Sequence, residues 1–260
     1  MKVLAKTMLR PPLQTALAVA LVLATLAGMF VRPATAQEVG DAERKRIEAV
    51  VRDYLTKNPD VIIDALRAYE EKRQASAQQE ATAALVANRA AIELDPRAPV
   101  AGNPKGDVTI VEFFDYRCGY CKKVTPVVRE ILKKDGNIRF VFKEFPILGP
   151  DSRTAAQAAQ AAWMIQPDKY LAFHVALMEN RGNLDEARVL EIAKSVGIDP
   201  GKLKTAMADP AVSAKLSDNL ELAQKLQIGG TPAFIVDDQI MPGAVDLETL
   251  VAAVAAARKS

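Results

Sequence analysis

Both cysteines of this 260-residue chain sit together as Cys118-Gly119-Tyr120-Cys121. Two thiols at this spacing can exchange with a disulfide: one attacks it as a thiolate, and the other resolves the mixed disulfide that forms. The same pair could instead be half of a zinc site. That needs two more ligands, and the chain has no other cysteine and one histidine, His174. A purely structural disulfide is the third reading, but closing so short a loop restricts the unfolded chain only weakly.

The elements around the pair decide what the thiols can do. Val108 to Phe114 is rich in β-branched and aromatic residues and follows the turn signal Asn103-Pro104-Lys105-Gly106-Asp107, which predicts a strand. Val124, Val127, Val128, Ile131 and Leu132 then recur at helical spacing until Asp135-Gly136-Asn137. Cys118 therefore falls at an exposed strand-to-helix turn. There the helix dipole, with Arg117, Lys122 and Lys123 nearby, favours a thiolate. Cys121, one turn further in, is placed to resolve.

Ile138 to Phe145 predicts a second strand with Ile138, Phe140 and Phe142 on one face, completing a βαβ unit, and Pro126 is expected to kink the intervening helix. From Pro146 to Gln227 the pattern is helical throughout, with Asn183 and Glu186 read as a capping pair and His174 read as structural or surface. The α/β pattern returns at Ile228-Gly229-Gly230-Thr231-Pro232 before an apolar strand. A turn at Asp237-Asp238 leads into Ile240-Met241, and Asp246 caps a last helix from Leu247 to about Arg258.

At the other end, Lys2, Lys6 and Arg10 precede an apolar run and Ala34-Thr35-Ala36, the pattern of a cleavable export signal over residues 1–36. An uncleaved inner-membrane anchor is the alternative. Export suits an isolated cysteine pair, since no third thiol is present to mispair. Removing 1–36 takes away four basic residues and leaves 30 Lys+Arg against 32 Asp+Glu, about −2. So balanced a charge argues against nucleic acid as a partner. Residues 37–95 read as a helical extension and linker. Ile47, Val50, Val51, Tyr54 and Leu55 form one apolar stripe, Asn58-Pro59-Asp60 breaks the helix, and Val61-Ile62-Ile63, Leu66 and Tyr69 form another. Such stripes favour self-association, with folding back on the same domain as the alternative. The stretch from about Glu70 to Leu94 is either helical or a semi-flexible linker.

Over about residues 98–260 the chain resembles the DsbA-like branch of the thioredoxin superfamily. The matching pieces are Val111-Glu112-Phe113-Phe114 before the cysteines, Pro126, the helical insertion, and Gly230-Thr231-Pro232 before a strand. The resemblance implies an α/β thioredoxin fold with a helical insertion at about 150–227 of a domain spanning 96–260. It also implies a cis Pro232 that, with Thr231, faces the cysteines and binds the extended substrate. Glu112, six positions before Cys118, matches a partly buried acid that modulates proton transfer at Cys121. Gly119 and Tyr120 are assigned to the substrate side, and they resemble the dipeptide of the disulfide isomerase DsbC. Strong oxidases of the family carry Pro-His there.

Arg52-Asp53-Tyr54-Leu55 with Asn58-Pro59-Asp60-Val61-Ile62 is similar to the N-terminal region of ScsC-like proteins, some of which trimerise through it. The resemblance therefore implies a periplasmic homo-oligomer, a trimer by preference, with no cofactor beyond a redox-active Cys118–Cys121 disulfide and no metal. Its partners would be exported cysteine-containing proteins and a membrane thiol-disulfide electron donor. Isomerisation or reduction of wrong disulfides is the favoured activity, a dithiol oxidase is the alternative, and copper binding or copper tolerance through the two soft thiols is a lesser one.

Overall fold

The computed structural model describes residues 40–259, so the export signal expected at 1–36 lies outside the described residues. The chain divides into a smaller unit ending at Ala68 and a larger one from Tyr69 onward. Helix α1 (Asp41–Lys57) stops where the Asn58 amide donates to the Tyr54 carbonyl at 2.8 Å, ahead of a proline that has no N–H to continue the ladder. Helix α2 (Asp60–Glu93) then runs unbroken, so the stretch after Glu70 is helix and not a flexible linker. In the smaller unit no residue of α1 is buried, and Ile47, Val50, Val51, Tyr54, Ile62 and Leu66 are exposed.

The larger unit is built on β1 (Val100–Gly102), β2 (Val108–Phe114), α3 (Gly119–Lys134) and β3 (Ile138–Glu144). Next come α4 (Pro150–Ile165), α5 (Tyr170–Glu179), α6 (Glu186–Ser195), α7 (Pro200–Met207) and α8 (Pro210–Lys225). The chain closes with β4 (Ala233–Val236), β5 (Gln239–Pro242) and α9 (Leu247–Ala257). This is the expected order: a βαβ unit, a helical insertion and a returning ββα. The sheet runs β1-β3-β2-β4-β5, with β2 and β3 parallel and the other pairs antiparallel. Strand β1 had no sequence signal, since three residues are too few to show alternation. It ends at Gly102, whose φ of +73° and whose absent Cβ let the Ile138 carbonyl pass close by.

Strand β2 is buried on both faces, which is why it reads as an apolar run interrupted by Thr109 and Glu112. On one face Ile110 and Phe114 join Phe140 and Phe142 of β3 beneath α3, α9 and the helical insertion. On the other, Val111 and Phe113 pack with Leu222 of α8, with Leu226 at its C-cap, and with Leu85 and Ile92 of α2. The C-terminal half of α2 is thus core to the larger unit. Its last carbonyls take cations from β3: Lys143 donates to Ala91 O at 2.7 Å and Arg139 to Glu93 O at 2.6 Å. Just beyond, Asp95 meets buried Lys215 at 3.0 Å. Burial works against its charge, but the Arg97 amide and Lys215 hold its carboxyl down at about 2.

One local expectation changes and one choice is resolved. The cap of α6 is Asp185, accepting from Arg188 N at 2.9 Å, and not Asn183 paired with Glu186, because the chain turns helical two residues later than the capping-box spacing suggested. Of the two readings of His174, structural or surface, the structural one holds: it is buried, with Nδ1 3.1 Å from the Tyr116 hydroxyl in a cluster of Phe114, Phe142 and Tyr170 rings. Burial drives its imidazole down to about 3, so it is a neutral hydrogen-bonding core residue at physiological pH. The end of α2 is fastened into the second core, so the C-terminal part of the 37–95 extension packs with the larger unit.

Candidate active site

Strand β2 delivers the chain to the site and Asp115 turns it. This buried carboxylate accepts from Arg117 N at 2.7 Å, Ile147 N at 2.9 Å, Leu148 N at 3.0 Å and Ser152 Oγ at 2.8 Å. One side chain thereby ties the cysteine loop to the loop after β3 and to the start of α4. Asp115 was not among the residues expected at the site. Its signal was there in an acid followed two residues later by a free amide at a strand end, the pattern of an Asx turn.

The turn leaves Cys118 as the N-cap of α3, where its Sγ accepts from Cys121 N at 3.4 Å. That is the place where an anionic sulfur gains most from unpaired N–H groups and the helix dipole. In this structure both cysteines are free thiols. Cys118 is less open than its turn position suggested, at 6% exposure, because the loop before β4 lies over it. Cys121 is fully enclosed at 0%. Burial pushes the Cys121 thiol up, and the charges of Glu112 and Cys118 push it further. The two sulfurs are therefore chemically unequal: one at a helix start with residual access, the other held protonated beneath it.

Thr231 and Pro232 arrive from the far end of the chain. Strand β4 pairs antiparallel with β2, bringing the loop before it against the cysteines. The Thr231–Pro232 peptide is cis, and the Thr231 carbonyl lies 3.3 Å from Cys118 Sγ, accepting its S–H. Pro232 is buried, and its carbonyl accepts from Gly243 N at 2.8 Å, which fixes the loop to the end of β5. Gly119 and Tyr120 are exposed on the outer side of the site, Tyr120 with Lys123 Nζ 5.3 Å from its ring centroid.

Glu112 is 2% exposed and shares the β2 face of Ile110 and Phe114, the side on which α3 packs. Burial, and after it the charge on Cys118, pushes its carboxyl up to about 8. A carboxyl poised near neutrality under a buried thiol can take or give a proton there. The cations expected around Cys118 are engaged elsewhere. Lys122 Nζ donates to the Asn180 carbonyl, Arg117 reaches Leu148 O at 3.5 Å, and Lys123 sits over Tyr120. The helix terminus, and not a ring of side-chain charges, is what the structure offers a thiolate. Among the described residues no group of three or more His, Cys, Asp or Glu gathers to hold a metal ion.

The arrangement agrees with known proteins. Residues 109–255 match the DSBA-like thioredoxin domain, and residues 43–76 match the copper resistance protein ScsC N-terminal domain. A thioredoxin-like oxidoreductase from Silicibacter pomeroyi is 48% identical, covering 66% of this chain and 99% of its own, with a TM-score of 0.64. ScsC from Proteus mirabilis in a transitional conformation is 32% identical over 86% of this chain and 99% of its own, again at 0.64. Disulfide bond formation protein D of Bacillus subtilis is 30% identical over 162 residues, 58% of this chain and 73% of its own. The chain also matches Salinispora sodium/proton antiporters, of whose length it spans 26%.

Proposed function

The chain belongs to the DSBA-like thioredoxin domain family of thiol-disulfide oxidoreductases, and from that premise we propose that it is an exported enzyme that isomerises or reduces wrong disulfides in periplasmic proteins. Cys118 attacks a substrate disulfide as a thiolate. A Cys118–substrate disulfide forms, and the second substrate sulfur leaves as a thiolate that takes a proton. Two outcomes follow. If a substrate thiolate attacks the mixed disulfide, Cys118 is released as a thiolate and no electrons are consumed, which is isomerisation. If Cys121 attacks Cys118 Sγ, the substrate leaves reduced and a Cys118–Cys121 disulfide remains, to be reduced by a membrane dithiol donor. Glu112 takes the Cys121 proton in that second step, while the Thr231–Pro232 loop, Gly119 and Tyr120 receive the substrate chain.

The observation that carries the isomerase direction is the exposed apolar stripe of α1 and the start of α2, which has no core of its own. Buried between copies it would give an oligomer, a trimer by likeness to ScsC, in which several active sites face one bound substrate. Cleavage after Ala36 would release this assembly into the periplasm. Dithiol oxidation is the second reading, favoured by the likeness to a protein named for disulfide bond formation. Refolding of a scrambled-disulfide substrate by the reduced protein, set beside oxidation of a reduced substrate by the oxidised protein, separates the two. Faster oxidation without unscrambling overturns the isomerase direction.

The reduction potential is expected at about −180 mV or lower, nearer the isomerase value than that of a strong oxidase. The residues between the cysteines are a glycine and an exposed tyrosine, so no imidazolium there favours the thiolate. Equilibration with glutathione measures it, and a result near about −120 mV contradicts the expectation.

Glu112→Gln is expected to make the reduced protein more stable at pH 8 by about 4 kcal/mol, and to leave it unchanged near pH 4. The sign follows from a folded carboxyl at about 8 against an ordinary value of 4.5. Between those values the folded state holds a proton that the unfolded chain has released, so stability falls as pH rises through the window. The variant has no such slope. It should also slow Cys121 attack about tenfold or more, since the proton acceptor is gone. Urea titrations at both pH values, with stopped-flow resolution of a mixed disulfide, test this. Parallel stability in both proteins removes Glu112 from the role.

A further inference from the structure

Along α2 the residues Gln74, Ala77, Gln78 and Ala81 fall on one face at helical spacing, and Leu85 and Ile92 continue that face toward the C-terminus. Leu85 and Ile92 are buried in the second core. The preceding part of the same face is not packed down. It borders an open cavity of about 770 Å³, whose other wall is the Gly229–Ala233 loop with Ile240 and Pro242 of β5. Nothing lies within 4 Å of where a Cβ would stand at Gly229 or Gly230, so the loop presents its backbone to the space. Thr231 links the cavity to the thiol: it lines the space, and its carbonyl lies 3.3 Å from Cys118 Sγ.

We propose that residues 74–81 of α2 form the second wall of the groove that receives the substrate polypeptide beside its reacting cysteine, with Gln74 and Gln78 positioning the substrate backbone. This rests on the oxidoreductase reading given above. A chain joined to Cys118 that runs along Thr231 enters the cavity that this residue lines. The volume falls within the range that takes a ligand of several groups, on the order of 300–1,000 Å³. Ile240 and Pro242 offer an apolar floor for a side chain next to the reacting cysteine. The α2 wall combines small alanines, which leave room, with exposed glutamine amides that can both donate to and accept from an extended backbone. Gln78 Nε2 has only a long 3.5 Å contact with Thr82 Oγ1 to give up. The occupant is thus an extended, cysteine-bearing polypeptide with an apolar neighbour, and the helix that carries the N-terminal stripe also selects substrate.

The test uses the full chain with two probes: a glutathionylated peptide with an apolar residue beside its cysteine, and oxidised glutathione. Ala77→Trp, which fills the groove, should slow exchange with the peptide about tenfold and leave exchange with oxidised glutathione within about twofold. The double variant Gln74→Ala, Gln78→Ala, at solvent-exposed positions, should raise KM for the peptide about fivefold with little change in kcat. Equal effects on both probes, or no effect on the peptide, overturn the groove. Failure of the parent protein to exchange with oxidised glutathione speaks against the oxidoreductase reading instead.

Discussion

Replacing Cys118 with serine is expected to lower thiol-disulfide exchange by at least about a thousandfold, whereas Cys121→Ser should accumulate stable mixed disulfides with substrate. The asymmetry comes from position. Cys118 caps α3 and keeps some access, while Cys121 is fully enclosed beneath it and its thiol is pushed up by burial. Removing the first sulfur leaves no nucleophile that a folded substrate can reach. Removing the second leaves the first step intact and takes away the resolving thiol. Non-reducing gels after incubation with a disulfide-containing substrate read both outcomes. Efficient trapping by Cys118→Ser with none by Cys121→Ser would reverse the assignment.

Deleting residues 37–68 should convert an oligomer into a monomer that keeps dithiol chemistry and loses isomerisation by about a hundredfold. The deletion removes all of the exposed stripe except Tyr69 and ends where the larger unit begins. Extending it to residue 95 is a different experiment. It strips Leu85 and Ile92 from the core against Val111 and Phe113, and losses of this kind cost about 2–5 kcal/mol each. It also takes the carbonyl partner of Lys143 and the carboxylate partner of Lys215, leaving two buried lysine side chains without them. The longer deletion is therefore expected to lower the melting temperature sharply, for reasons unrelated to assembly. Light scattering, thermal melts and scrambled-substrate refolding on both truncations separate the effects. A shorter truncation that stays oligomeric rules out the stripe as the assembly surface.

These two experiments divide along the line between local and long-range information. Periodicity and composition alone determined that β2 spans Val108–Phe114, that a helix follows with Cys118 at its start, and that a helical insertion interrupts the sheet. Each follows from interactions between near neighbours: β-branched residues alternating on a pleat, apolar residues recurring every turn, and caps that satisfy free amides. Glu112 was read from the resemblance to DsbA-like proteins, which carry an acid six positions before the first cysteine.

What only the tertiary structure decided lies between distant segments. Thr231 meets Cys118 across 113 residues because β4 pairs antiparallel with β2, and local periodicity carries no information on which strand a segment will choose. Asp115 gathers amides from Ile147 and Leu148 that no local pattern assigns to it. The stretch after Glu70, polar enough to be either helix or linker, became helix because its far end buries Leu85 and Ile92 and offers its last carbonyls to Arg139 and Lys143. Helical propensity in an Ala, Gln and Glu-rich segment is a small sum of local terms, and tertiary burial supplied what those terms left undecided.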